Sequence, residues 1–142
     1  MEYFTPLIED IRVGYECELL RDPSKDVSEQ EWMPFTFKRL SLPAYCTEKG
    51  QFELTTQSLR VPYLTKEQVE AEGWKITYRE IKPNPYKVDW INAKKGDYDL
   101  WINLALHDKM HLGVDRTKWG ILYRGQCKDI NTFRQICKLL GV

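Results

Sequence analysis

Histidine is the scarcest reactive residue in this 142-residue chain, with only His107 and His111 present. A protein zinc site uses three or four ligands, and no H-E-x-x-H pattern supplies the remainder. Asp108 is the one carboxylate beside them. Cysteine is nearly as sparse: Cys17, Cys46, Cys127 and Cys137 stand 29, 81 and 10 residues apart with no C-x-x-C pair. That scatter argues against a disulfide framework or a zinc knuckle and reads as four reduced structural thiols. There is no G-x-S-x-G elbow, no P-loop and no dinucleotide fingerprint, and glycines stand singly at turns. ATP, NAD and serine-hydrolase chemistry are therefore poor readings, and no cofactor is expected. No stretch approaches the ~20 apolar residues of a membrane span. The acidic start M-E-Y-F-T-P-L-I-E-D ends in no small-residue cleavage site, so the expectation is a soluble cytoplasmic protein.

Aromatic residues, by contrast, are plentiful, with five Trp and eight Tyr. Several adjoin a cation: Trp74 with Lys75, Tyr78 with Arg79, Trp119 with Lys118, Tyr123 with Arg124. Rings stack on bases and cations hold phosphates, so a nucleotide or nucleic-acid binder suits this composition. Trp, Tyr and Arg are also the usual anchors of protein interfaces. The plain alternative is that most of these rings are core, with their basic neighbours on the opposite strand face. Net charge is zero but polarised, running from −4 over residues 1–50 to +4 over residues 101–142. The basic third therefore supplies the candidate ligand-binding residues: Arg116, Lys118 and Arg124 for phosphates, with Trp101 or Trp119 for stacking.

One domain spanning 1–142 is expected, since no linker, repeat or low-complexity tract interrupts the chain. Ile11, Val13, Tyr15, Cys17 and Leu19 alternate with polar residues or glycine, the period of a half-buried strand. R-D-P-S-K-D is a polar turn, followed by a short turn over Ser28–Glu31 with Ser28 as its cap. Phe35 and Phe37 open a strand that runs through Leu40 and Leu42, shifts register after Lys38 and closes at Pro43. A third extended segment covers 51–61. In T-K-E-Q, Thr65 and Gln68 form a capping box for a helix over Lys66–Glu72, and Gly73 ends it. Trp74 opens the next strand, K-P-N-P-Y turns, Tyr86–Trp90 is a short edge strand, and a loop follows through Lys94, Lys95 and Gly96.

The remainder is more regular. Tyr98, Leu100, Ile102, Leu104 and Leu106 share a face, with Asp99, Trp101, Asn103, Ala105 and His107 on the other. If Asp108, Lys109 and Met110 form a three-residue hairpin loop, His107 and His111 become cross-strand neighbours and candidate metal ligands. Met110–Val114 and Trp119–Arg124 are further strands. Asp129 caps a final helix whose apolar residues recur at helical spacing from Ile130 to Leu140, ended by Gly141. The expected fold is α+β: a curved, mainly antiparallel sheet with one short central helix and one C-terminal helix.

Three segments, I-R-V-G-Y-E-C-E, R-V-P-Y-L-T-K-E-Q-V-E-A-E-G-W and Y-R-G-Q-C-K-D-I-N-T-F-R-Q-I-C-K-L-L-G-V, cover about a third of the chain. In that order they resemble uncharacterised small accessory proteins of tailed phages and prophages, of the Bacteroidetes type. The proline-led strand entering a short helix that ends in G-W is the most specific part. The resemblance carries over no catalytic residue. It implies a phage gene product expressed in the host cytoplasm, a non-enzymatic binder that blunts host defence by occupying a host protein or a small nucleotide signal. Two other classes stand beside it: a small hydrolase or nuclease using His107 and His111, and a virion or assembly component. Homo-oligomerisation is compatible with each, because an aromatic-rich open strand invites self-pairing.

Overall fold

The computed structural model describes residues 1–22, 25–38, 44–47, 50–53, 58–83, 85 and 87–142, with backbone alone at Ile8, 44–47, 50–53 and Asp108. The chain divides into two compact units, Met1–Pro62 and Tyr63–Val142. The charge polarity follows that boundary. The first unit holds 7 Lys/Arg against 11 Asp/Glu, and the second holds 14 against 10. Among the described residues no helix is long and apolar enough to cross a membrane.

In the first unit, β1 (Tyr3–Phe4), β2 (Glu16–Leu20), β3 (Trp32–Thr36) and β6 (Leu59–Pro62) form a sheet in the order β1-β6-β2-β3. β4 (Ala44–Thr47) and β5 (Gly50–Glu53) form a separate antiparallel pair. Tyr15, Cys17, Leu19, Phe37, Leu59 and Val61 make the core. The strand expected from Ile11 begins only at Glu16, because Gly14 adopts φ 85° and donates its N–H to the Phe37 carbonyl at 2.7 Å. Val13, assigned to the buried face by alternation, is 62% exposed on that turn. The turn expected at Ser28 is a 3₁₀ turn over Val27–Glu29, with Asp26 at the cap position and no side-chain cap bond. The next strand starts at Trp32 rather than Phe35 and admits Pro34 because β3 is an edge. The expected register shift after Lys38 and the stop at Pro43 lie outside the described residues. The extended segment 51–61 holds parts of two strands, β5 and β6.

The second unit is a five-stranded antiparallel sheet, order β11-β10-β9-β8-β7, with helices on one face. Its strands are β7 (Lys75–Lys82), β8 (Val88–Lys95), β9 (Tyr98–Asn103), β10 (His111–Arg116) and β11 (Gly120–Gln126). Helix α1 (Lys66–Ala71) carries the anticipated capping box: the Thr65 hydroxyl accepts from Gln68 N–H at 3.3 Å, and the Gln68 amide oxygen accepts from Thr65 N–H at 3.0 Å. Helix α2 (Ile130–Leu140) starts at Asp129, whose carboxylate accepts from Thr132 N–H at 2.9 Å, and stops at Gly141 with φ 73°. Val69 of α1 and Ile130, Phe133, Ile136 and Cys137 of α2 pack on Ile91, Ala93, Leu100, Ile102, Leu112 and Val114. Each of the large side chains contributes roughly 1.5–3 kcal/mol by burial. Of the segment expected as a short edge strand at Tyr86–Trp90, Val88–Trp90 belongs instead to β8, paired on both sides and running through Lys94 and Lys95 to a turn at Gly96, while Tyr86 lies outside the described residues. The helices supply the reason. Ile91 and Ala93 are fully covered by them, so this strand is drawn into the middle of the sheet. The α+β class read from the sequence is the class observed: antiparallel sheets, a short central helix and a longer C-terminal one.

Candidate ligand-binding face of the five-stranded sheet

The core takes one face of each strand, so the alternate residues line the other. Following the register outward from β7, Tyr78 pairs with Asn92, Asn92 with Trp101, Trp101 with Gly113, and Gly113 with Arg124. These five residues form one row across the whole sheet, on the face away from α1 and α2. Gly113 is the position that shapes it. A Cβ there would lie 1.9 Å from the Trp101 ring, so the indole occupies the space a side chain would need. Trp90, one row along on β8, stacks on Trp101 with centroids 5.6 Å apart and planes 11° from parallel. Its indole N–H donates to the Asn92 amide oxygen at 2.9 Å, which holds the ring in that pose. The Arg124 guanidinium sits 5.3 Å from the Trp101 centroid. Among the described residues no carboxylate pairs with Arg124. The result is a row of Tyr78, Asn92, Trp101 and Arg124 on a polar face, with Trp90 stacked beside Trp101.

The next row carries both signs, beginning with Lys75 and Lys94 paired across β7 and β8. Asp99 and Asp115 are paired across β9 and β10, and Lys94 Nζ approaches Asp99 at 3.3 Å. One Asp115 carboxylate oxygen is buried with no hydrogen-bond partner among the described residues. On the opposite side of Trp101, Asn103 spends its amide oxygen on the N–H groups of Asp89 and Ala105, at 3.0 and 3.2 Å. It thereby starts the 3₁₀ stretch Leu104–Lys109.

The five residues proposed from sequence as one site are separated by the fold. Trp101 and Arg124 share the row just described. Arg116 pairs with Tyr98, lies 5.4 Å from that ring and so belongs to the helix-covered face, where Tyr98 donates its hydroxyl to the Leu140 carbonyl at 3.3 Å. Lys118 and Trp119 fall between β10 and β11, and Trp119 is 73% exposed there. Adjacent strands were a sound guide to neighbourhood but not to face, because a strand reverses side at every residue. The sequence reading missed Trp90, Asn92 and Gly113. A glycine inside the strand H-L-G-V-D was the available signal, since it marks a close approach.

The histidines do not form the expected hairpin pair. Leu104–Lys109 is 3₁₀, and His107 breaks it with φ 40° and ψ −103°. Its imidazole stacks on Tyr63, with centroids 4.6 Å apart and planes 19° from parallel. His111 is exposed on β10 opposite Gln126. No group of three or more His, Cys, Asp or Glu able to hold a metal occurs among the described residues.

The thiols are also placed unfavourably for nucleophilic work. Burial first, then Glu18, pushes the Cys17 thiol up to about 11. Burial, with the charge of Asp129, raises Cys127 well above the ordinary thiol range, and burial raises Cys137 as well. The Cys46 side chain lies outside those described. No protein-family model, curated protein or solved structure matches this chain.

Proposed function

We propose that this chain is a non-enzymatic accessory protein of a tailed phage or prophage, acting by occupancy in the host cytoplasm and holding a nucleotide. Resemblance of three sequence segments to phage accessory proteins supports the origin. The ligand class is supported by one arrangement: Arg124, without a carboxylate partner among the described residues, over Trp101 and beside the Trp90 stack. A base lies against the indoles, and a phosphate is drawn to Arg124. That polarity orients the ligand along the Tyr78–Arg124 row. A single-stranded nucleic acid, presenting the same base and phosphate, is the extended version of this ligand.

The test is a titration of intrinsic tryptophan fluorescence with adenosine and guanosine monophosphates, a cyclic dinucleotide and a short single strand. Saturable quenching is expected for at least one of them. Trp101→Ala and Arg124→Ala should each weaken it by about 1–3 kcal/mol, or roughly 5- to 150-fold. Binding that survives both substitutions unchanged rejects this face as the site.

A second reading, occupancy of a host protein in a counter-defence role, is favoured by a separate feature. Trp119, Ile121 and Leu122 are 73%, 54% and 40% exposed along one edge of the same sheet.

A further inference from the structure

The two edges of the five-stranded sheet are built differently. On β7 two of the three cations, Arg79 and Lys82, are answered locally. Arg79 donates twice to Asp89, at 2.9 and 3.0 Å, and Lys82 pairs with Glu80 at 2.8 Å. Such charges are what keep an edge from recruiting another strand. β11, the opposite edge, has no such answer. From Thr117 to Gln126 the chain reads T-K-W-G-I-L-Y-R-G-Q, with two cations and no acid.

The backbone of that edge is oriented by its ladder. Cys127 donates its N–H to the Met110 carbonyl at 3.1 Å, which makes this a hydrogen-bonded pair of the antiparallel register. Alternation then turns Gly125 and Tyr123 toward β10 and turns the N–H and C=O of Arg124 toward the open side. Leu122 is skipped in the register between Val114 and Asp115 and marks a bulge. The regular open edge is therefore short and centred on Arg124.

We infer that β11 is a docking edge for an extended acidic peptide of a partner protein, which adds to the sheet as a sixth strand. This deepens the protein-partner reading and shares Arg124 with the nucleotide site. The occupant's chemistry follows from the pleat. Side chains of the added strand alternate between the two faces. Those on one face meet Leu122 and Arg124 and complement a cation. Those on the other meet Tyr123, whose ring already covers the space over Gly125. The preferred segment alternates acidic and apolar residues, with Lys118 near one end. A second copy of this chain is the poorer occupant, because antiparallel self-pairing sets two acid-free basic strands against each other.

The probe is a blocked peptide of alternating valine and glutamate, set against the same peptide with lysine for glutamate, using the full chain. Amide NMR shifts and hydrogen exchange are read at Arg124. The glutamate peptide should shift and protect the Arg124 amide, with the lysine peptide weaker by about tenfold or more. Arg124→Glu should invert that preference without disturbing the β10–β11 ladder. Equal protection by both peptides, or an unchanged preference in Arg124→Glu, overturns the acidic class while leaving a strand-docking edge. No protection by either peptide overturns the edge as a docking site. Protection that grows with protein concentration and needs no peptide identifies a second copy as the occupant and overturns the proposal.

Discussion

Each unit of this protein lays an arginine against a tryptophan on the less apolar face of an antiparallel sheet, and the two arrangements differ in one charge. In the first unit the Arg60 guanidinium lies 3.9 Å from the Tyr3 centroid and 4.4 Å from that of Trp32. Glu18, its cross-strand neighbour, accepts from Arg60 Nε at 2.6 Å and from the Tyr3 hydroxyl at 3.4 Å. Two rings and a carboxylate use up the cation, so this cluster ties β1, β2, β3 and β6 together. In the second unit Arg124 has the ring of Trp101 and no carboxylate partner among the described residues. The same pair of residue types is closed by an acid in the first unit and has none among the described residues in the second. A cation–π contact alone therefore says little about role.

The largest effect expected from breaking the comparison is at Gly113. Gly113→Val drives a side chain into the Trp101 ring, so that indole must leave the sheet. Loss of about 1–3 kcal/mol in urea unfolding is expected, together with loss of nucleotide quenching. Retention of both would mean that Trp101 does not need that gap.

Arg60→Ala should cost roughly 1–2 kcal/mol of stability, since it strands Glu18 and opens the ring sandwich. Arg124→Ala should change stability by less than about 0.5 kcal/mol and act on ligand affinity instead. Parallel denaturation and binding curves for the two variants give the contrast directly. Equal stability losses would erase the distinction between a closed and an open cluster. Arg116→Ala sharpens the same point: with its side chain on the helix-covered face, nucleotide affinity should stay unchanged.

A cap prediction calibrates the second unit's scaffold. Asp129→Ala removes the acceptor for Thr132 N–H and the Thr132 hydroxyl, and should lower the melting stability by about 1 kcal/mol.

The smallest effect is one of pH. The Cys17 thiol is raised from its ordinary value near 9 to about 11 by burial and by Glu18. The folded state then favours the protonated thiol. Its contribution is fully present below pH 9 and is lost as pH rises from 9 through 11. Denaturation midpoints should fall in that window, and Cys17→Ala should flatten part of the fall. A midpoint that is level across it would place Cys17 in a wetter setting.

Local chemistry was legible in the sequence wherever a few neighbouring residues complete a device. The Thr65–Gln68 box, the Asp129 cap, the Gly141 stop and the apolar spacing of α2 all stand where the sequence places them. Each needs only residues within a turn or two, and so does the α+β class that they and the alternating strands imply. Tertiary structure decided the rest. The polar, proline-flanked run at Val88–Lys95 became a central strand only because α1 and α2 cover Ile91 and Ala93. His107 left the hairpin pattern for a 3₁₀ kink against Tyr63, a partner 44 positions earlier in the chain. Trp101 and Arg124 met while Arg116 did not, because sheet register and a pleat of period two, rather than nearness in sequence, set which side chains share a face.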